Sequence, residues 1–164
     1  MANYSTSLKE GDKAPDFKGK DQDGSIISLN DFKGKKLVLF FYPKDNTPGC
    51  TNEVCNLRDN YSVLKKKGYS IVGVSADDEK KHSRFIKKFD LPFPLIADVD
   101  KKVITAYDVW GEKHFMGLVF DGIVRTTFVI DEKGKIEKVI TSVDTKNHTE
   151  QILKIKNYSI ILIT

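Results

Sequence analysis

Two cysteines occur in this chain of 164 residues, and both lie in the stretch Phe41-Tyr-Pro-Lys-Asp-Asn-Thr-Pro-Gly-Cys50-Thr-Asn-Glu-Val-Cys55. A cysteine thiolate is a nucleophile and stands at the foot of an oxidation ladder that passes through sulfenic acid to a disulfide. Two thiols this close, in a chain whose start MANYSTSLKEGDKAPDF lacks the apolar core of an export signal, point to catalysis or redox sensing more than to a structural staple. The same start makes a cytoplasmic setting the default expectation. Metal chemistry has little support. A zinc site needs three or four ligands, whereas His82, His114 and His148 are scattered far from the cysteines. No metal and no cofactor are expected.

The elements that hold these thiols are legible in the apolar pattern. Lys36-Leu-Val-Leu-Phe-Phe-Tyr42 is a near-continuous apolar block of strand length, as a strand buried on both faces should be. After Pro43 and a polar turn, Val54, Leu57, Tyr61 and Leu64 recur at helical spacing, which predicts one helix over residues 51–67, stopped by Gly68. Tyr69–Ser75 reads as a second buried strand, and residues 77–89 as a helix opening on acidic residues. Leu95-Ile96-Ala97 is a short strand, residues 100–107 a short helix, Thr126–Ile130 and Ile136–Ser142 two strands joined by the turn Asp131-Glu-Lys-Gly134, and residues 146–156 a last helix. The order β-α-β-α-β-β-α, with an N-terminal β extension, predicts an α/β fold with a mixed central sheet flanked by helices, of thioredoxin-like type. One domain over residues 1–164 fits this length, with residues 157–164 as an apolar C-terminal tail.

Cys50 thus falls where a buried strand ends and a helix begins, the usual place for a site in an open α/β sheet. Pro48 and Gly49 suit a chain turning into a helix, and the unpaired N–H groups and dipole of a first helical turn favour a thiolate. Cys55 lies about 140° further round such a helix and about 7.5 Å along it. Disulfides rarely tolerate Cα atoms more than about 7 Å apart, so a bond between the two cysteines requires the first turns to unwind. The bland alternative is that the cysteines are small core residues. It suits Cys55, beside Val54 and Leu57, far better than Cys50.

The string FYPKDNTPGCTNEVCNLRD resembles the peroxiredoxins, and within them the Q-type or bacterioferritin-comigratory group, in which proline, threonine and cysteine recur as Pro43, Thr47 and Cys50 do here. The resemblance continues through GDKAPDF, IVGVSADD, FPLIADVDKKVITAYDVWGEK and GIVRTTFVIDEKG, and covers nearly the whole chain. It implies a thiol peroxidase acting on hydrogen peroxide and organic hydroperoxides. Cys50 would be the nucleophile that becomes a sulfenic acid, and Cys55 the resolving thiol that closes an intrachain disulfide. Thioredoxin or a similar dithiol would be the reductant. The family's arginine maps to Arg125. Together with Thr47 and the N–H of Gly49 or Cys50 it would hold the peroxide, while Pro43 shields the pocket. Glu53, on the first helical turn, could assist catalysis or simply interact with the helix dipole; the two readings are evenly matched, and Glu53 stays outside this set. Phe41, Tyr42, Trp110, Phe115 and Met116 are candidate entrance residues, although aromatics at strand ends usually pack. His114 reads as a surface residue.

Other classes fit less well. A thiol–disulfide oxidoreductase usually separates its cysteines by two residues and sets a cis-proline where Arg125 stands here, whereas the spacing is four. A redox sensor or copper carrier on the same fold is permitted by fold alone. The net charge of +4 comes from lysines interleaved with acids, which reads as a solvated surface and not a nucleic-acid face. No apolar stretch approaches the ~18 residues of a membrane span. Monomer and homodimer both remain open.

Overall fold

The computed structural model describes residues 3–154; the apolar tail and the end of the last expected helix lie outside the described residues. A small antiparallel pair, β1 (Lys18–Lys20) and β2 (Ile26–Ser28), precedes a 3-10 turn over Leu29–Phe32. Then come β3 (Lys36–Phe41), α1 (Pro48–Asp59), α2 (Tyr61–Lys66), β4 (Tyr69–Ser75), α3 (Glu79–Phe89), β5 (Leu95–Ala97) and α4 (Lys102–Ala106). A hairpin of β6 (Trp110–Phe115) and β7 (Leu118–Ile123) leads into β8 (Thr126–Ile130), β9 (Ile136–Ile140) and α5 (His148–Leu153). The central sheet has the order β5-β4-β3-β8-β9, with β3, β4 and β5 parallel and β8 antiparallel to both its neighbours. This is the mixed, thioredoxin-like arrangement that the sequence implied.

The strict alternation of side chains along β3 divides the core in two. Leu37, Leu39 and Phe41 join Val72, Val74, Phe128, Val103 and Tyr107 on one face; Val38, Phe40 and Tyr42 join Val54, Leu57, Ile71, Phe85 and Cys50 on the other. Cys50 therefore belongs to the layer between the sheet and α1. Gly73 of β4 lets this layer close, because a Cβ there would stand 2.6 Å from Phe40 Cζ and 2.7 Å from Leu95 Cδ2.

Three expectations are corrected. The single helix over 51–67 begins earlier, at Pro48, and breaks at Asn60. There the side-chain amide bonds back to the Asn56 carbonyl at 2.8 Å, which loosens the backbone ladder. The N-terminal β extension is slight, two strands of three residues each, and the chain coils at once after the second. Finally, the β6–β7 hairpin occupies a stretch to which no element was assigned.

A buried polar knot anchors the loop between β3 and α1. The Tyr42 hydroxyl donates to Asp45 Oδ1 at 2.6 Å, and His82 of α3 meets Asp45 Oδ2 through Nδ1 at 2.6 Å. The His82 Nε2 reaches the Ile96 carbonyl at 2.9 Å, and the Asp45 N–H and Ser75 hydroxyl both donate to Asp77 Oδ2 at 2.8 Å. Burial, reinforced by Asp45, pushes the Tyr42 hydroxyl well above its ordinary range, so it remains a donor. Asp45, Asp77 and His82 cluster closely enough to suggest a cation site, but these contacts already engage their ligating atoms.

Two outcomes follow from this packing. His82→Leu strips a buried carboxylate of its partner and should lower the unfolding free energy by about 3 kcal/mol in a denaturant titration. Gly73→Ala overpacks the layer beneath Tyr42 and should cost about 2 kcal/mol in the same measurement.

Candidate active site

The register of the sheet places the key groups. Phe41, the last residue of β3, pairs with Thr126, the first of β8. The loop leaving β3 toward Cys50 and the residue entering β8, Arg125, are thereby delivered to the same sheet end from segments far apart in sequence. At that end the chain passes Asn46 in the left-handed region (φ 62°) and turns at Thr47, the N-cap of α1. Pro48 takes the first helical position, which suits its fixed φ and missing N–H. The first intrahelical bond runs from the Thr51 N–H to the Thr47 carbonyl at 2.8 Å, so the N–H groups of Gly49 and Cys50 have no helical acceptor.

Cys50 is fully buried at the third position of α1, and its sulfur accepts from Arg125 Nη2 at 3.2 Å. The other arm of the guanidinium, Nη1, donates to Glu53 Oε1 at 2.7 Å. Gly49 makes this approach possible, since a Cβ there would lie 3.2 Å from Arg125 Nη2. Glu53 is fully buried one turn along from Cys50, and burial lifts its carboxyl above the ordinary range, against the opposing pull of His148 and Arg125. Burial alone would weaken the Arg125 cation, but Glu53 and Cys50 outweigh it and keep the group firmly protonated. Behind Glu53 stands His148 of α5, also fully buried.

The remaining candidates lie around this pair. The Thr47 hydroxyl donates to the Lys44 carbonyl at 2.8 Å, which turns its lone pairs away from that bond and leaves them free to accept. Pro43, Thr47, Gly49 and Arg125 line a cleft of about 1020 Å³, shared with Lys113, Phe115, Phe120, Val124 and Val143. Burial lowers the Lys113 ammonium, and the neighbouring Arg125 lowers it further. Both cysteines are unbonded, and Cys55 is half-buried against the layer that holds Val54 and Leu57. With α1 continuous from Pro48 to Asp59, the two thiols stand on different turns of an intact helix.

Of the entrance aromatics, only Phe115 lines the cleft. Phe41 and Tyr42 are core residues, Trp110 lies beneath the Lys101 ammonium 4.9 Å from its ring centroid, and Met116 projects from the hairpin turn. His114, read as a surface residue, also borders the cleft and pairs with Glu112 at 3.0 Å. Two residues escaped the sequence reading. Glu53 was set aside, although its i+3 spacing from Cys50 puts both on one helix face. His148 sits 95 positions beyond Glu53 by their numbers, with no local pattern to mark it.

Residues 10–139 match the AhpC/TSA family. Peroxiredoxin Bcp of Escherichia coli K12 is 49% identical over 146 residues, which cover 89% of this chain and 94% of that protein. The solved peroxiredoxin Q of Xanthomonas campestris superimposes with a TM-score of 0.79 at 33% identity, covering 90% of this chain and 94% of the other. A structure of the Xanthomonas campestris bacterioferritin comigratory protein, from a study of its alkyl peroxide reduction, gives a TM-score of 0.79 at 32% identity, with 91% and 95% covered. An arginine set on a buried cysteine at a helix start, in a fold and sequence shared with these proteins, leads to one conclusion: the chain belongs to the AhpC/TSA family and is a peroxiredoxin of the Bcp and peroxiredoxin Q group, a thiol peroxidase.

Proposed function

We propose that Cys50 reduces hydrogen peroxide and organic hydroperoxides and that Cys55 closes the cycle as an intrachain disulfide with it. The observation that carries this reading is the 3.2 Å contact between Arg125 Nη2 and Cys50 Sγ at the start of α1. The thiolate attacks the distal peroxide oxygen, the O–O bond breaks, and the other oxygen leaves with the bonding pair and takes up a proton as water or an alcohol. Charge grows on that departing oxygen. The Arg125 guanidinium and the N–H groups of Gly49 and Cys50 supply preorganised donors for it, and Thr47 accepts the hydrogen of the bound peroxide. Pro43 closes the pocket against water. The apolar cleft walls Phe115, Phe120, Val124 and Val143 favour an alkyl substituent, in line with the alkyl peroxide reduction of the Xanthomonas relative.

The Cys55 sulfur then attacks the Cys50 sulfenic acid, water leaves and the S–S bond forms. Unwinding of α1 must precede this, because five residues of intact helix set the two Cα atoms about 7.5 Å apart along the axis. A dithiol reductant, which we take to be thioredoxin in the cytoplasm, restores both thiols by exchange. Every group invoked comes from one chain, so the chemistry runs alike in a monomer or a homodimer. Among the described residues no helix is long and apolar enough to cross a membrane.

Peroxide consumption coupled to a thioredoxin system tests the roles. Cys50→Ser should be inert, whereas Cys55→Ser should consume about one equivalent per chain and then stop, as a thiol without its resolving partner does. Full turnover by Cys50→Ser would overturn the mechanism. Amide exchange supplies a second check. Residues 48–58 should lose protection in the disulfide form, and equal protection in both forms would rule out the unwinding step.

A further inference from the structure

The Cys50–Arg125–Glu53 chain ends on a histidine that none of the roles above uses. Glu53 Oε2 is buried and makes no hydrogen bond, the one such side-chain atom among the described residues. Leaving a carboxylate oxygen unsatisfied in a dry site is costly, so the groups facing it matter. His148 Nε2 lies 3.4 Å away.

The hydrogens on His148 can be assigned from its partners. Its Nδ1 meets Gln151 Oε1 at 2.8 Å. That oxygen is fixed as an acceptor, because the Gln151 amide nitrogen donates to the Ser142 carbonyl at 2.8 Å and the Asp144 N–H donates to Oε1 at 2.9 Å. Nδ1 therefore carries a hydrogen. Nε2 meets the Thr127 hydroxyl at 2.7 Å, and a hydroxyl serves either as donor or as acceptor. If Thr127 donates, the ring is neutral and Nε2 offers nothing to Oε2. If Thr127 accepts, Nε2 carries a second hydrogen and a cation stands beside the unsatisfied carboxylate. Only the second state sets a positive charge beside the open oxygen of Glu53.

We propose that His148 is a positioning residue for the peroxidase reaction: its ring, with Nε2 3.4 Å from the second carboxylate oxygen of Glu53, holds that oxygen by charge, and Glu53 in turn holds Arg125 against the Cys50 sulfur. The inference rests on the reading of Cys50 as the nucleophile. Arg125 reaches this pair from the β7–β8 junction, Thr127 from β8, and Asp144 and Gln151 from α5 and the turn before it; Cys50 and Lys113 lie beyond Arg125. Without the imidazolium, burial acts on Glu53 with one fewer opposing cation. Its carboxyl then takes up a proton at higher pH and loses its hold on the guanidinium.

The test is the second-order rate constant of the reduced, full-length protein with hydrogen peroxide, followed from mildly acidic to neutral pH. His148→Leu should slow Cys50 oxidation by about tenfold, as a small misplacement of a reacting group does. The loss should be deepest on the acid side, with the acid limb moved to higher pH. His148→Gln keeps an N–H donor but no charge, so it should recover most of the rate at neutral pH while its acid limb remains displaced. On a Glu53→Gln background, His148→Leu should add nothing further. A uniform loss at every pH, an unmoved acid limb in His148→Gln, or full additivity with Glu53→Gln would overturn the proposal. Should His148→Leu fail to fold, His148→Gln alone decides it. Cys50→Ser run alongside separates the two readings, because residual turnover there strikes the nucleophile assignment, whereas an inert Cys50→Ser with an unmoved limb strikes His148 alone.

Discussion

A guanidinium drawn partly out of water needs acceptors for its N–H groups, and Arg125 directs its two arms to the Glu53 carboxylate and the Cys50 sulfur. Glu53 and Cys50 are both fully buried. A buried carboxylate is costly without a cation, and the guanidinium is fixed from two sides by the carboxylate and the sulfur. This mutual dependence explains why three ionisable groups sit in a layer otherwise built of Val54, Leu57, Phe40 and Val129. It also keeps a cationic donor beside the sulfur before any peroxide arrives, so little reorganisation is left for the reaction itself.

In the proposed cycle the same helix is asked to be rigid and to come apart. Pro48 and Thr47 start α1 firmly, and Asn56 ties its middle to the start of α5 and the segment before it, with the amide nitrogen on the Lys146 carbonyl at 2.9 Å and Oδ1 accepting from the Thr149 N–H at 2.8 Å. Cys55 lies between Glu53 and Asn56, two residues of α1 with polar contacts to this C-terminal segment. Freeing Cys55 therefore disturbs contacts on both sides of it. The break at Asn60 supplies a ready end for the segment that moves, since the backbone ladder is already loosened there.

How much of this was legible in sequence follows from how local each signal is. The block Leu37–Phe41 and the Pro48-Gly49-Cys50 entry are short-range patterns, and they led directly to the strand, the helix start and the cysteine proposed as the nucleophile. Arg125 was reached by resemblance and its place is explained by sheet register. Glu53 was ambiguous because an acid near a helix start has a local reason to be there, and only the fold reveals that an arginine 72 residues away claims it. The β6–β7 hairpin was missed for a different reason. It pairs only with itself and packs little against the core, so Glu112, Lys113, Asp121 and the exposed Leu118 and Val119 show no alternation. The helix break was invisible because Val54, Leu57, Tyr61 and Leu64 keep their period across it.

The pairing of Phe41 with Thr126 has a consequence for when reactivity first arises. Strand registers come only in whole residues, and a slip by one turns every side chain to the opposite face. A newly made chain in which β3 and β8 are unpaired or shifted carries the same cysteine but lacks the arginine beside it. Under the proposed mechanism chemical competence thus waits on correct folding, and an immature or misfolded copy would stay an ordinary thiol.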